Sequence, residues 1–240
     1  MKGLLKSASI LLIAALLPGS AAAQSGSVER EIFPPAHGKG AIVVVVSGQS
    51  DPAPYRDFSS KLAKNGYYTV LIKAFDVLPG FGIRVPQGPA NLRAVIADAQ
   101  SAPKAIPGKV ALVGLSLGGA AVLVHGGLLK DNVSAVVAFY PALTMIAPQR
   151  DMKSLAASLQ VPVLVMAGEK DDENGCCMIN TIRELDAAPK AVSLDLVVYP
   201  NAGHGFNLHD PRFVYRERDA ADAWARTLAF LRHLHPPRGG

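Results

Sequence analysis

The run Ala41-Ile-Val-Val-Val-Val46 contains no polar residue. Successive side chains of a strand point to opposite faces, so a strand of this composition needs apolar cover on both sides. Further apolar, β-rich runs follow at Tyr68–Ala74, Lys109–Val113, Ser134–Tyr140, Val161–Ala167 and Leu194–Val198. Segments of helical character lie between them: Tyr55–Lys64, Ala90–Ala102, Leu117–Leu129 and Ile179–Ala187, with Asp219–Leu234 closing the chain. In Ala90–Ala102, for example, Leu92, Val95, Ile96 and Ala99 share one face. Strands that alternate with helices and lack a polar face predict an α/β fold, a mainly parallel sheet with helices on both faces. In such sheets chemistry gathers at the carboxyl ends of the strands.

The first residues read differently. Lys2 and Lys6 precede an apolar run, Ala8–Leu17, and Pro18-Gly19 then leads to Ala21-Ala-Ala23. This is the pattern of a signal peptide, residues 1–23, and the run is about half the roughly 20 residues of a membrane span. Residues 24–240 are then expected to be a single domain, secreted or periplasmic, with Gln24–Lys39 as an exposed lead-in. No second apolar stretch suggests a span. The net charge of +5 is spread along the chain without basic runs, which argues against a nucleic-acid partner.

One motif sits where chemistry is expected. Gly114-Leu-Ser-Leu-Gly118 joins the Lys109–Val113 strand to the helix after it, which matches G-x-S-x-G in its strand–turn–helix setting. A serine on so tight a turn presents its hydroxyl, and the following helix aims its N-terminal donors at the site. Ser116 is therefore the candidate nucleophile, and the architecture is that of an α/β-hydrolase.

A serine needs a base. Of six histidines, His204 lies just past the last strand between Gly203 and Gly205, with His209 as its rival. His125 falls inside the helix after Ser116, His37 precedes the first strand, and His233 and His235 sit in the C-terminal tail. The base needs an acid, and Glu169, Asp171 and Asp172 compete after the Val161–Ala167 strand. We select Asp171, with Asp172 second, and the chain order Ser…Asp…His is the one this fold uses. For the oxyanion hole, backbone amides of Leu117 and Gln49 are the candidates. Only about twenty residues separate Tyr140 from Val161, too few for a large cap. The Asp76–Gln87 loop is the candidate partial cover, with Phe81, Ile83 and Arg84 as possible substrate contacts.

The two cysteines, Cys176 and Cys177, are adjacent. Neighbouring Cα atoms lie about 3.8 Å apart, below the usual disulfide range of about 4.4–6.8 Å, so free thiols are expected, with a strained vicinal bridge as the alternative. No metal or other cofactor is expected: His204, His209 and Asp210 lack a recognised ligand spacing, and no phosphate loop or dinucleotide fingerprint is present.

Together these residues resemble the dienelactone hydrolase family. The resemblance runs from about Ala41 to Phe206 and rests on Leu62–Tyr67, Val110–Gly119, Ala138–Pro141, Pro162–Asp171 and Tyr199–Phe206. It implies a compact α/β-hydrolase acting on small esters or lactones. It also supports Asp171, because the family's acid follows the strand-end glycine, here Gly168, by three. Two positions depart from the pattern. Ser116 stands where dienelactone hydrolases proper carry cysteine, and Ser47-Gly48 stands where they carry His-Glu. A serine esterase is therefore the expectation. A non-catalytic binding protein on the same fold and an acyltransferase with the same residues are the alternatives. The sequence does not specify the oligomeric state.

Overall fold

The computed structural model describes residues 28–48 and 51–237. The proposed signal peptide and Gln49 lie outside these residues. In chain order the elements are β1 (Arg30–Phe33), β2 (Gly40–Val46), α1 (Arg56–Lys64), β3 (Tyr68–Ile72), α2 (Ala74–Val77), α3 (Gln87–Gln100), β4 (Ala105–Leu115) and α4 (Leu117–Leu128). They continue with β5 (Val133–Phe139), α5 (Leu143–Ile146), α6 (Met152–Ala157), β6 (Val163–Gly168), α7 (Ile179–Ala187), β7 (Leu194–Tyr199) and α8 (Glu217–Leu234).

The strands form one sheet in the order β1-β3-β2-β4-β5-β6-β7. β2 to β7 are parallel throughout, and only β1 runs antiparallel, against β3. The apolar run that opens β2 is buried along its whole length. Its side chains divide by parity as a pleated strand requires. Ile42, Val44 and Val46 join the core under α2 to α7, while Ala41, Val43 and Val45 join the core under α1 and α8. The α/β layering read from the sequence is the observed one, and the β5–β6 connection holds only the short helices α5 and α6.

Two local readings are corrected. The lead-in contains a strand, β1, whose pattern of exposed and half-buried residues gives little apolar signal. Its polar side chains reach outward instead. Arg30 pairs with Asp98 at 2.5 Å, and Arg56 forms a two-pronged pair with Glu31 at 2.7 and 2.9 Å. The Asp76–Gln87 loop is also more ordered than expected. Its start belongs to α2, Pro79–Phe81 makes a helical turn, and Gln87 already begins α3. Asn91 of α3 donates to the Asp76 carbonyl at 2.7 Å and ties the two ends together.

Candidate active site

Every candidate group follows the carboxyl end of a parallel strand: Ser47-Gly48 after β2, Ser116 after β4, Asp171 after β6 and His204 after β7. The turn at Ser116 has φ of 56° and ψ of −118°, a backbone state that a non-glycine residue occupies only under strain. Its surroundings hold it there. The Ser116 N–H donates to the Phe139 carbonyl at 3.0 Å, and the Ser116 carbonyl accepts from Ala142 and Ala120 at 3.0 and 3.2 Å. A β-carbon on Gly114 would collide with the Gly118 carbonyl, and one on Gly118 would collide with the Val46 and Ser47 carbonyls. The two glycines let β2, β4 and α4 meet at this corner.

His204 lies between the other two groups. Its Nε2 is 3.0 Å from Ser116 Oγ, and its Nδ1 is 2.9 Å from Asp171 Oδ2. A carboxylate only accepts, so Nδ1 carries the proton and Nε2 presents its lone pair to the serine hydroxyl. The Asp171 side chain is fully buried and that of His204 is 6% exposed. The Glu173 N–H donates to the other Asp171 oxygen, Oδ1, at 3.2 Å. Asp172 is exposed, and Glu169 is engaged with Arg183 at 2.6 and 3.0 Å.

Rings fix the imidazole plane. Tyr140 meets His204 edge-on at 4.6 Å and Phe213 does so at 5.3 Å. The buried Tyr140 hydroxyl donates to Asn207 at 2.7 Å, and burial holds its pKa well above the ordinary value. The other histidines are placed elsewhere. His209 is exposed and stacks on Tyr215 at 3.8 Å. His125 is buried and donates to the Val77 carbonyl at 2.7 Å. His235 does not trail in solvent: it is buried, donates from Nε2 to the Ile42 carbonyl at 2.8 Å, and accepts from Ser134 at 3.0 Å.

Ser116 and His204 open into a cavity of about 420 Å³, lined also by Tyr55, Leu117, Met145, Glu173, Cys176, Arg212 and Phe213. Phe81 and Arg84 are not on its wall. Gln149 holds that loop aside, donating to the Phe81 carbonyl at 2.8 Å and accepting from the Ile83 N–H at 3.2 Å. A larger groove of about 570 Å³ lies between α1, α8 and the His209 loop, and neither Ser116 nor His204 lines it. Leu117 opens α4, where first-turn N–H groups lack an intrahelical partner. Gln49 lies outside the described residues. The Ser47-Gly48 departure has a visible counterpart: a β-carbon on Gly48 would run into the Tyr55 hydroxyl, beside Ser116 Cβ. Tyr55 thus fills the space in which a larger side chain would begin.

The expectation of free thiols is overturned, for Cys176 and Cys177 form a disulfide with their Cα atoms 3.8 Å apart. The usual Cα range describes cysteines that the fold brings together. Here the peptide bond itself sets the spacing, and the side chains turn toward each other within the dipeptide. Tyr55, Arg212, Phe213 and this bridge are parts of the site that sequence reasoning missed. Only the adjacency of the cysteines was a signal.

The family model for the dienelactone hydrolase family matches residues 83–235, more than half of the chain. The chain belongs to the dienelactone hydrolase family. A family relative from Methylorubrum extorquens, named "Putative carboxymethylenebutenolidase", is 28% identical over 74% of this chain and 66% of its own length. A relative of the same name from Yersinia pestis is 33% identical over 50% of this chain and 45% of its own. The chain thus spans under two thirds of the length of these relatives. Among solved structures, the Thermogutta terrifontis esterase Est2 with bound propionate aligns with a TM-score of 0.63 at 16% identity, over 90% of this chain and 98% of that one. Likeness at that identity shows that this chain shares the fold.

Proposed function

We propose that this protein is a serine hydrolase that cleaves a small ester or lactone through an acyl-enzyme on Ser116. The observation that carries the reading is the continuous chain from Ser116 Oγ through His204 to the buried Asp171. Family membership and the esterase relatives of like fold support it.

In this reading His204 Nε2 takes the Ser116 proton as Oγ attacks the carbonyl carbon. Asp171 holds the Nδ1–H tautomer and steadies the imidazolium that forms. The Leu117 amide stabilises the oxyanion, and Gln49 is proposed as the second donor. His204 returns the proton to the leaving alcohol, and water then releases the acid by the same route in reverse. The cavity accommodates a small substrate, and its wall offers apolar Met145 and Phe213 beside the charged Glu173 and Arg212.

A panel of short-chain and long-chain esters, lactones and acetylated sugars tests the proposal. Short esters or lactones should turn over, and Ser116→Ala should abolish turnover while the melting temperature holds. Turnover unchanged in Ser116→Ala would refute it.

A further inference from the structure

The disulfide lies against the proposed base. Cys176 lines the cavity that holds Ser116 and His204, and Cys177 is fully buried behind it. Both sulfurs and an imidazole nitrogen of His204 lie within 4.8 Å of one another. Tetrahedral zinc, with bonds of about 2.3 Å to sulfur and 2.0–2.1 Å to nitrogen, spaces such ligands about 3.5–3.8 Å apart. The three groups therefore have the donor set for such a site, and they reach its spacing once the bond between the sulfurs is opened and the sulfurs part.

The backbone that carries the cysteines is held independently of the sulfurs. The Thr144 N–H donates to the Cys176 carbonyl at 3.1 Å, and the Met178 N–H donates to the Thr144 hydroxyl at 3.2 Å. The Cys176 N–H donates to the Glu173 carbonyl at 2.8 Å. Opening the bridge frees the sulfurs while these bonds keep the loop beside His204. Asp171 begins the same loop.

We propose that a dithiol reductant converts Cys176 and Cys177 into a site for a soft, thiophilic divalent cation of the zinc class, completed by His204. A reductant thiolate attacks Cys176 Sγ, the sulfur at the cavity wall, and the bond to Cys177 Sγ breaks. The reductant's second thiol then closes onto its own sulfur and expels Cys176. The protein gains two thiols, and the reductant leaves as a cyclic disulfide. On binding the cation the two thiols release their protons to solvent. His204 donates Nε2, the nitrogen whose lone pair faces Ser116, and water takes the fourth position. The result is a Cys₂His site with one open place. Cation binding then withdraws the nitrogen that hydrolysis needs. That inhibition rests on the hydrolase reading above, whereas the binding does not.

Cadmium is the probe, because its thiolate complexes absorb in the ultraviolet. The protein is reduced with dithiothreitol, desalted without oxygen and titrated with Cd²⁺. One equivalent should give the thiolate band and stop hydrolysis, and EDTA should restore it. Untreated protein should give no band. Ser116→Ala should bind as the parent does, and His204→Gln or His204→Asn should weaken binding by about tenfold or more. Either histidine variant that melts like the parent suffices. A reduced protein without the band, an equal band before reduction, or undiminished affinity in the folded histidine variant would overturn the site. If cadmium binds through His204 while the untreated protein hydrolyses no ester, the metal site stands and the hydrolase reading falls.

Discussion

Asp171 accepts from His204 through Oδ2 at 2.9 Å while its other oxygen accepts from the Glu173 amide at 3.2 Å. The carboxylate is held from both sides, so it holds the imidazole in turn. Asp172, one residue on, is exposed and has no such part in the proposed reaction. Asp171→Asn should lower kcat for an ester by about 10⁴-fold, the scale seen when a triad aspartate loses its charge. Asp172→Asn should stay within a few-fold. Steady-state kinetics of the two variants checks this, and equal losses would contradict the assignment.

The glycines at the Ser116 turn make a stability prediction. Gly118→Ala drives a methyl into the Val46 and Ser47 carbonyls, which are backbone and cannot swing away. The cost should be about 1–3 kcal/mol, seen as a lower urea midpoint. Gly175, where nothing lies near a new β-carbon although φ is 69°, provides the contrast. Its replacement by alanine carries only the backbone penalty of the left-handed region, about 1–2 kcal/mol.

Both the fold and the site were partly legible in the sequence. The wholly apolar β2 run required a covered parallel sheet, and the G-x-S-x-G turn located Ser116 at its edge. His204 followed from its place after the last strand, whereas the strand end left Glu169, Asp171 and Asp172 in competition and the family resemblance favoured Asp171. β1 was not legible, because a half-exposed edge strand shows no apolar excess and its ion pairs with Arg56 and Asp98 join residues distant in the chain. Tyr55 lies in the loop after β2, and Arg212 and Phe213 lie in the long loop after β7, but no motif or spacing within those loops singled them out. The disulfide was misread because a rule for pairs brought together by the fold was applied to neighbours in the chain.

Two buried histidines give the protein a pH dependence. Burial lowers the pKa of His125 and of His235, so each is harder to protonate in the folded protein than in the unfolded chain. Unfolded, they titrate near about 6.5. As pH falls through that value the unfolded chain takes up protons that the folded one refuses, and stability declines. Above it their contribution is complete. Unfolding free energy should therefore drop between about pH 7 and 5, before most carboxylates titrate. Replacing both with glutamine should flatten that slope. Parallel pH curves for parent and variant would count against it.

The edge-strand ion pairs should matter little. Arg30–Asp98 and Arg56–Glu31 are substantially exposed, and such pairs are worth about 0–1 kcal/mol. A double-mutant cycle on Arg30 and Asp98 should return a coupling in that range and lose most of it at high salt. A coupling well above it would mean that β1 is held mainly by charge.

The central claim is that His204 and Asp171 make Ser116 a nucleophile. A fluorophosphonate reacts covalently with an activated serine. Native protein should gain one phosphonyl adduct, located by peptide mass spectrometry on Ser116, and both heat-denatured protein and His204→Gln should gain none. A native protein that stays unlabelled at Ser116, or carries its adduct on another serine, would contradict the account.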